Sequence, residues 1–146
     1  MESRSVDFAD RIRIELVNAW QEEPIVELYR AGGWWKEDMD PSRLPELISG
    51  SYLFAVAVDI STGRSIGMGR VISDGIADAY IQDVVVLPQW REKGVGKMLI
   101  SALIEACKSR GIAWIGVIAQ PGSEKLYSSL GFMPMEGHVP MLLQRR

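Results

Sequence analysis

The chain has 146 residues, 47% apolar and 24% charged, the make-up of a globular protein with one hydrophobic core; composition gives no reason to expect disorder. Its formal net charge is -3 and no run of Lys or Arg exceeds two residues, which disfavours nucleic acid as the main partner. With Cys107 as the single cysteine and His138 as the single histidine, an intrachain disulfide, a thiolate metal cluster and a zinc site of several imidazoles are excluded, and no metal is expected.

No stretch approaches the roughly 18–20 consecutive apolar residues that a membrane span needs. The opening MESRSVDFADR carries charges where a secretory leader requires an apolar core. A cytoplasmic protein with no membrane partner is the simplest expectation.

In chain order, residues 11–16 (RIRIEL) alternate charged and apolar, as a half-buried strand does. A helical pattern, IVELYRA, follows Pro24 and ends at Gly32-Gly33. Asp40-Pro41-Ser42 offers a capping side chain and a proline suited to the first turn of a helix that stops near Gly50. Residues 52–60 and 65–73 read as two strands joined by the turn S-T-G-R. After Asp74-Gly75, residues 79–87 (AYIQDVVVL) form another strand, whose three valines predict burial on both faces and a central place. A helix from Gly94 to about Arg110 ends at Gly111, and residues 112–119 return as strand. Residues 123–130 make a short helix closed by Gly131, and strand is expected again from Phe132 onward. The order β-α-α-β-β-β-α-β-α-β predicts an α/β protein: a mixed sheet with helices on both faces, in one domain over residues 1–146, without repeat or linker.

The junction VVVLPQWREKGVGK places glycines at the start of a helix, directly after the valine strand. The first turn of a helix leaves about four backbone N–H groups unpartnered, and the peptide dipoles add positive charge there. A diphosphate is a favourable guest at such a point, glycine lets it approach, and Arg91, Lys93 and Lys97 add charge. The nucleotide motif G-x-x-x-x-G-K-[ST] fails, because Met98 follows Lys97 and no first glycine stands at the required spacing. Only Gly94 and Gly96 fit a dinucleotide fingerprint. The same glycines also suit close packing of the helix on the sheet.

R-E-K-G-V-G at 91–96 resembles the Q/R-x-x-G-x-G/A signature of the GCN5-related N-acetyltransferase (GNAT) superfamily, as do the preceding strand with Pro88 and the following KMLISALIEAC. L-Y-S-S-L-G-F at 126–132 resembles the family's second hallmark, a tyrosine four residues before Gly-Phe, at the family's separation of one helix and one strand. The likeness covers residues 52–132 well and the N-terminal helices by topology. It implies the family's acyl-coenzyme A acyltransferase fold, with a mostly antiparallel mixed sheet, and acetyl-coenzyme A as cofactor. Its pyrophosphate would sit on the amides of Arg91, Glu92, Lys93, Gly94, Val95, Gly96 and Lys97. The pantetheine arm would lie along Val84, Val85 and Val86. That placement requires the strand to splay from its neighbour, which the family achieves with a bulge that no pattern in AYIQDVVVL marks. Where many relatives carry an asparagine after the fifth strand, this chain has A-Q-P-G-S, so Gln120 or Ser123 would take that contact.

The resemblance further implies acetyl transfer to a primary amine by direct attack in a ternary complex. Tyr127 is the expected acid for the departing thiolate, since a phenol titrates at about 10 and keeps its proton at neutral pH. With Leu126 and Leu130, it also reads as a core aromatic. A backbone N–H near Val86 would polarise the thioester carbonyl. Asp83 is the one carboxylate inside the valine strand: it can take the amine proton, hold a cationic substrate, or sit exposed near the strand's beginning. Alternation puts Asp83 and Val85 on one face and Gln82, Val84 and Val86 on the other, so only one of Asp83 and Gln82 is expected to face the acceptor.

The acceptor site in this family borders the segment joining the first two helices, here G-G-W-W-K-E-D-M-D. Trp34 and Trp35 offer an apolar surface for an aromatic or alkyl body, and Glu37, Asp38 and Asp40 can attract an ammonium group. The tryptophans equally suit packing against the sheet and the helix ends. GHVPM at 137–141 is the other candidate wall, with His138 as a candidate proton relay. Trp90 either covers the adenine side or anchors its junction, and Cys107 reads as core. The acidic loop favours a small primary amine over a protein lysine. The competing readings are an acetyltransferase of protein or peptide amines and a non-catalytic acyl-coenzyme A sensor or scaffold. Members of the family often pair, so a homodimer is a candidate state.

Overall fold

The structure, a computed structural model, describes residues 8–144. After a short 3-10 turn, Phe8–Arg11, come strand β1 (Ile12–Leu16), helix α1 (Glu22–Ala31) and helix α2 (Leu44–Gly50). Three strands follow, β2 (Leu53–Asp59), β3 (Ser65–Ser73) and β4 (Asp78–Val86), then helix α3 (Val95–Ser109), β5 (Trp114–Val117) and helix α4 (Glu124–Ser129). The sheet order is β1-β2-β3-β4-β5. The first four strands pair antiparallel, and β4 pairs β5 in parallel, so the sheet is mixed and mostly antiparallel.

Each face carries helix. Val95, Leu99, Ile100, Leu103 and Cys107 recur at helical spacing along α3 and are buried. Full burial of such an aliphatic side chain contributes about 1.5–3 kcal/mol. A Cβ added at Gly69 of β3 would lie 3.3 Å from Leu103 Cδ1, so α3 approaches β3 where no side chain intervenes. The opposite face meets α1, which buries Ile25, Leu28 and Tyr29. Covered on both sides, β2 (LFAVAVD) is buried at every position. The described elements share one hydrophobic core, and none of their helices is long and apolar enough to cross a membrane.

Three expectations change. The helix expected from Pro41 is a 3-10 turn, Pro41–Arg43, followed by α2. Asp40 still caps, accepting from the Ser42 N–H at 3.0 Å, but Pro45 has no N–H to give the Pro41 carbonyl, so one continuous α-helix cannot form. β4 is internal, yet Val84 and Val86 are only partly buried, because the strand leaves its neighbour β5. No strand forms from Phe132 to the end of the described chain. Pro134 and Pro140 lack donors, Gly137 turns the backbone at φ +76°, and His138 N–H bonds locally to the Met135 carbonyl at 3.1 Å. The segment is left with Met133, Val139, Met141, Leu142 and Leu143 between 75% and 95% exposed.

Candidate active site

The site begins with a bulge. Met68 of β3 faces Val85 of β4, while Arg70 faces Gln82, so Gly69 alone stands against both Asp83 and Val84. Asp83 takes up the extra residue in the left-handed region, at φ +57°. Aspartate tolerates that region better than most side chains, at a cost of about 1 kcal/mol or more. Gly69 makes room for it, since a Cβ there would come within 3.1 Å of Val84 Cγ2. On its other edge β4 stays paired with β5 only from Asp78 to Ile81, the last pair being Ile81 with Val117. Past that point the strands part and a cleft of about 400 Å³ opens, lined by Gln82, Asp83, Val84, Val117, Gln120 and Tyr127 among others. The bulge also overturns the expected alternation, because both Gln82 and Asp83 line the cleft.

Asp83 is not free to swing. Its Oδ2 accepts from Arg70 Nε at 2.7 Å and from Tyr29 Oη at 2.8 Å. Arg70 reaches on to Ser51 Oγ at 3.4 Å, and Ser51 Oγ donates to the Leu47 carbonyl at 2.7 Å. The ion-paired side chains are only 17% and 22% exposed, which makes this a partly desolvated network and not a surface pair. Burial, and then the Asp83 carboxylate, push Tyr29 above the ordinary phenol value, so it stays a donor. The sequence reading missed Tyr29 and Arg70. A signal existed for the latter: a lone arginine inside the apolar strand SIGMGRVIS requires a partner.

Tyr127, on α4, is 8% exposed, with Phe132 edge-on at 5.5 Å. It lines the cleft, and its hydroxyl has no hydrogen-bond partner among the described residues. Burial raises its pKa, so the proton is held more firmly than in a free phenol. Gln120 lies in the cleft wall. Ser123 is not among the residues lining the cleft, and its hydroxyl donates to the Gln120 carbonyl at 2.6 Å, closing its own turn.

Between β4 and α3 the chain turns through Pro88–Trp90 and residues 91–94, with Glu92 at φ +62° and Gly94 at φ +85°. Gly94 caps α3 with no side-chain hydrogen bond, and among the described residues the amides of Gly94, Val95, Gly96 and Lys97 have no partner. Lys93 and Lys97 stand exposed beside them. Gly96 serves packing as well, since a Cβ there would lie 3.3 Å from Leu126 of α4. Arg91 departs from expectation. Its Nε donates to the Val86 carbonyl at 3.0 Å and its Nη2 to the Ala31 carbonyl at 3.3 Å, so its charge ties the loop down. Trp90 packs against the core with the Arg11 guanidinium 5.8 Å over its ring, anchoring the junction.

On the acceptor side Trp34 lines the cleft and meets Tyr29 edge-on at 6.2 Å. Trp35 packs on the core and does not line the cleft, and exposed Asp38 is likewise outside it. His138 is also outside: its exposed ring places Nδ1 3.0 Å from the Glu136 carbonyl, while Pro140, Met141 and Leu142 complete the wall. Val85 is buried on the α1 side of β4, whereas Val84 faces the cleft. A second depression, of about 540 Å³ at the start of α1 among Gln21, Glu22, Glu23 and Glu27, holds none of the expected residues. Among the described residues no group of three His, Cys, Asp or Glu stands close enough to bind a metal.

The arrangement brings a held proton on Tyr127, a fixed carboxylate on Asp83 and an open strand edge into one cleft, beside unpartnered helix amides. A family model described as an acetyltransferase (GNAT) domain matches residues 21–139. An uncharacterized N-acetyltransferase, ycf52, of Porphyra purpurea is 29% identical over 101 residues, 69% of this chain and 58% of its own. Histone acetyltransferase TAP1 of Glycine max is 35% identical over 109 residues, covering 68% of this chain and 46% of its own. The chain thus spans about half the length of these curated relatives. A probable acetyltransferase of Staphylococcus aureus, SA2161, has the same fold at a TM-score of 0.77 and 22% identity, over 92% of this chain and 99% of that one.

Proposed function

Because this chain belongs to the GNAT acetyltransferase superfamily, we propose that it moves the acetyl group of acetyl-coenzyme A onto the nitrogen of a small primary amine. The observation that carries this reading is the cleft between β4 and β5, which joins the open start of α3 to Tyr127 and Asp83.

The residues present fit the coenzyme. The amides of Gly94, Val95, Gly96 and Lys97, unpartnered among the described residues, suit a diphosphate together with the charges of Lys93 and Lys97. Residues 91 and 92 shape that turn, Arg91 through its two carbonyl contacts. The unaccompanied edge of β4 at Val84 and Val86 suits the amide-bearing pantetheine arm, with Gln120 across the cleft. When bound, acetyl-coenzyme A supplies a thioester carbonyl carbon open to an amine nitrogen.

The chain's own groups then divide the work. The Val86 N–H is the donor assigned to the carbonyl oxygen, a fixed dipole where negative charge grows. Asp83 faces the acceptor and takes the proton the nitrogen must lose, directly or through a water. Tyr127 Oη holds the proton that a departing sulfur needs. Trp34 and the segment Pro140, Met141 and Leu142 wall off water around the acceptor body.

A small acceptor suits a cleft with apolar walls and a single carboxylate, although the name of the soybean relative keeps a protein amine as the competing substrate. A homodimer and a cytoplasmic setting belong to the same reading. The apolar side chains exposed after Phe132 and the open outer edge of β5 give a second copy something to cover.

The test is calorimetric titration with acetyl-coenzyme A, followed by an amine panel read by release of free thiol. The panel runs from aryl-alkyl amines, polyamines and amino sugars to amino acids and a lysine peptide. Tight binding with turnover of one small amine is expected. Turnover of the peptide alone moves the assignment to protein acceptors, and binding without any turnover to a sensor module. No binding removes the reading altogether.

A further inference from the structure

Resting on the reading of the cleft as an amine acceptor site, we propose that Tyr29 and Arg70 are positioning residues: they occupy one oxygen of Asp83 and reserve the other as the anchor for the ammonium group of a monoamine with an apolar body.

Both strong contacts of Asp83 fall on Oδ2, and Oδ1 has no hydrogen-bond partner among the described residues. A carboxylate accepts at both oxygens, so one that is half satisfied beside a cleft retains capacity for a cation. Asp83 is the only formally charged side chain among the described residues that line the cleft. Arg70 lies behind it, does not line the cleft, and spends its other contact on Ser51. Most of the remaining lining is aromatic or aliphatic, including Trp34, Tyr80, Ile118, Met141 and Leu142, and its polar groups, Gln82, Gln120 and the Tyr127 hydroxyl, are neutral.

The need for positioning follows from the backbone. At φ +57° Asp83 sits in a bulge, where an aspartate left to itself hydrogen-bonds neighbouring backbone amides. The Arg70 guanidinium and the Tyr29 phenol hold it out of that competition, and Tyr29 is itself held edge-on by Trp34. A carboxylate fixed in advance binds a cation without an ordering cost. The same geometry sets specificity. A second ammonium group on the substrate would find no second carboxylate among the described lining residues, which penalises polyamines.

The experiment titrates the full chain with 2-phenylethylamine and with its neutral isostere 2-phenylethanol, read on the Trp34 indole N–H in nitrogen-15 spectra. A hydrogen bond to a charged group predicts that wild type prefers the amine about tenfold. Asp83→Asn should remove that preference. Tyr29→Phe and Arg70→Lys should weaken the amine about threefold to fivefold and leave the alcohol unchanged, since they disturb aim and not the wall. Should both ligands weaken alike, Tyr29 is packing only and the proposal falls. It falls equally if wild type does not distinguish the two, or if both positioning variants keep the wild-type ratio. These readouts need no turnover, so a protein that prefers the amine yet never acetylates it fails the activity reading alone.

Discussion

Tyr29 Oη donates to Asp83 Oδ2 over 2.8 Å and joins α1 to the bulge of β4 across 54 residues of chain. The contact fastens a helix on the acceptor side to the point where the sheet parts. Arg70 closes on the same oxygen from β3, so three elements meet at one atom. Five consequences of the structure can be measured.

Tyr127→Phe removes a proton and keeps the ring against Phe132. Loss of a general acid predicts a fall in kcat of about 100-fold or more with little change in the KM for acetyl-coenzyme A. Burial holds the wild-type hydroxyl protonated beyond the usual phenol range, so activity should persist to at least about pH 10 before an alkaline loss. That alkaline limb should be missing from the residual activity of the variant. A thiol-release assay across pH decides, and an unchanged kcat would take Tyr127 out of the chemistry.

Stability should carry the same signature. Tyr29 and Tyr127 both have pKa values raised in the folded state, so folding favours their protonated forms. Their contribution is complete below the unfolded phenol value of about 10 and is lost as pH climbs through the folded values. Urea midpoints should therefore fall steeply above about pH 10, and less steeply for Tyr29→Phe. Equal slopes in the two proteins would show that Tyr29 titrates as a free phenol does.

Gly69→Val places a branched side chain where even a Cβ lies 3.1 Å from Val84 and 3.3 Å from Leu103. Overpacking of this kind costs about 1–3 kcal/mol, visible in thermal melts. The strain falls on the bulge, so binding of acetyl-coenzyme A should weaken by more than the melting shift accounts for. A variant that melts early but binds normally would separate the bulge from the cofactor.

The chain after Phe132 tests the homodimer. Met133 is 83% and Leu143 95% exposed. Light scattering on a sizing column should give twice the chain mass for wild type. The double change Met133→Asp and Leu143→Asp should give the single mass with an unaltered melt, because a carboxylate is costly in an apolar contact and harmless in water. Wild type running at the single mass would remove the dimer.

Much of this was legible from residues close together in sequence. R-E-K-G-V-G announced a helix start with open amides, and L-Y-S-S-L-G-F a short helix closed by Gly131 with Tyr127 on it, because caps and turns are local. Asp83 was visible as a charge inside a strand. Its surroundings were not, since strict alternation assumes an unbroken pleat and the left-handed residue at Asp83 breaks it. Arg70 and Tyr29 come from other elements, and their meeting depends on a register that the bulge shifts. Loop residues were the least readable. Trp34 and Trp35 are identical in type and adjacent, yet only the first reaches the cleft, while Asp38 and His138 face water. The expected final strand failed because β propensity is a property of partners as much as of residues, and residues 132–144 have no partner strand among those described.

Arg91 has a consequence for how two ligands sense each other. Its guanidinium holds the Val86 carbonyl with one nitrogen and the Ala31 carbonyl with another, so the coenzyme loop and the end of the helix that leads to Trp34 share one fastening. Two walls fastened together cannot relax separately: whatever stiffens one lowers the entropy that the other has left to lose, and by thermodynamic reciprocity the debt runs equally in both directions. Coenzyme A should therefore tighten 2-phenylethylamine, and the amine should tighten coenzyme A by the same factor. In Arg91→Met the two titrations should become indifferent to each other.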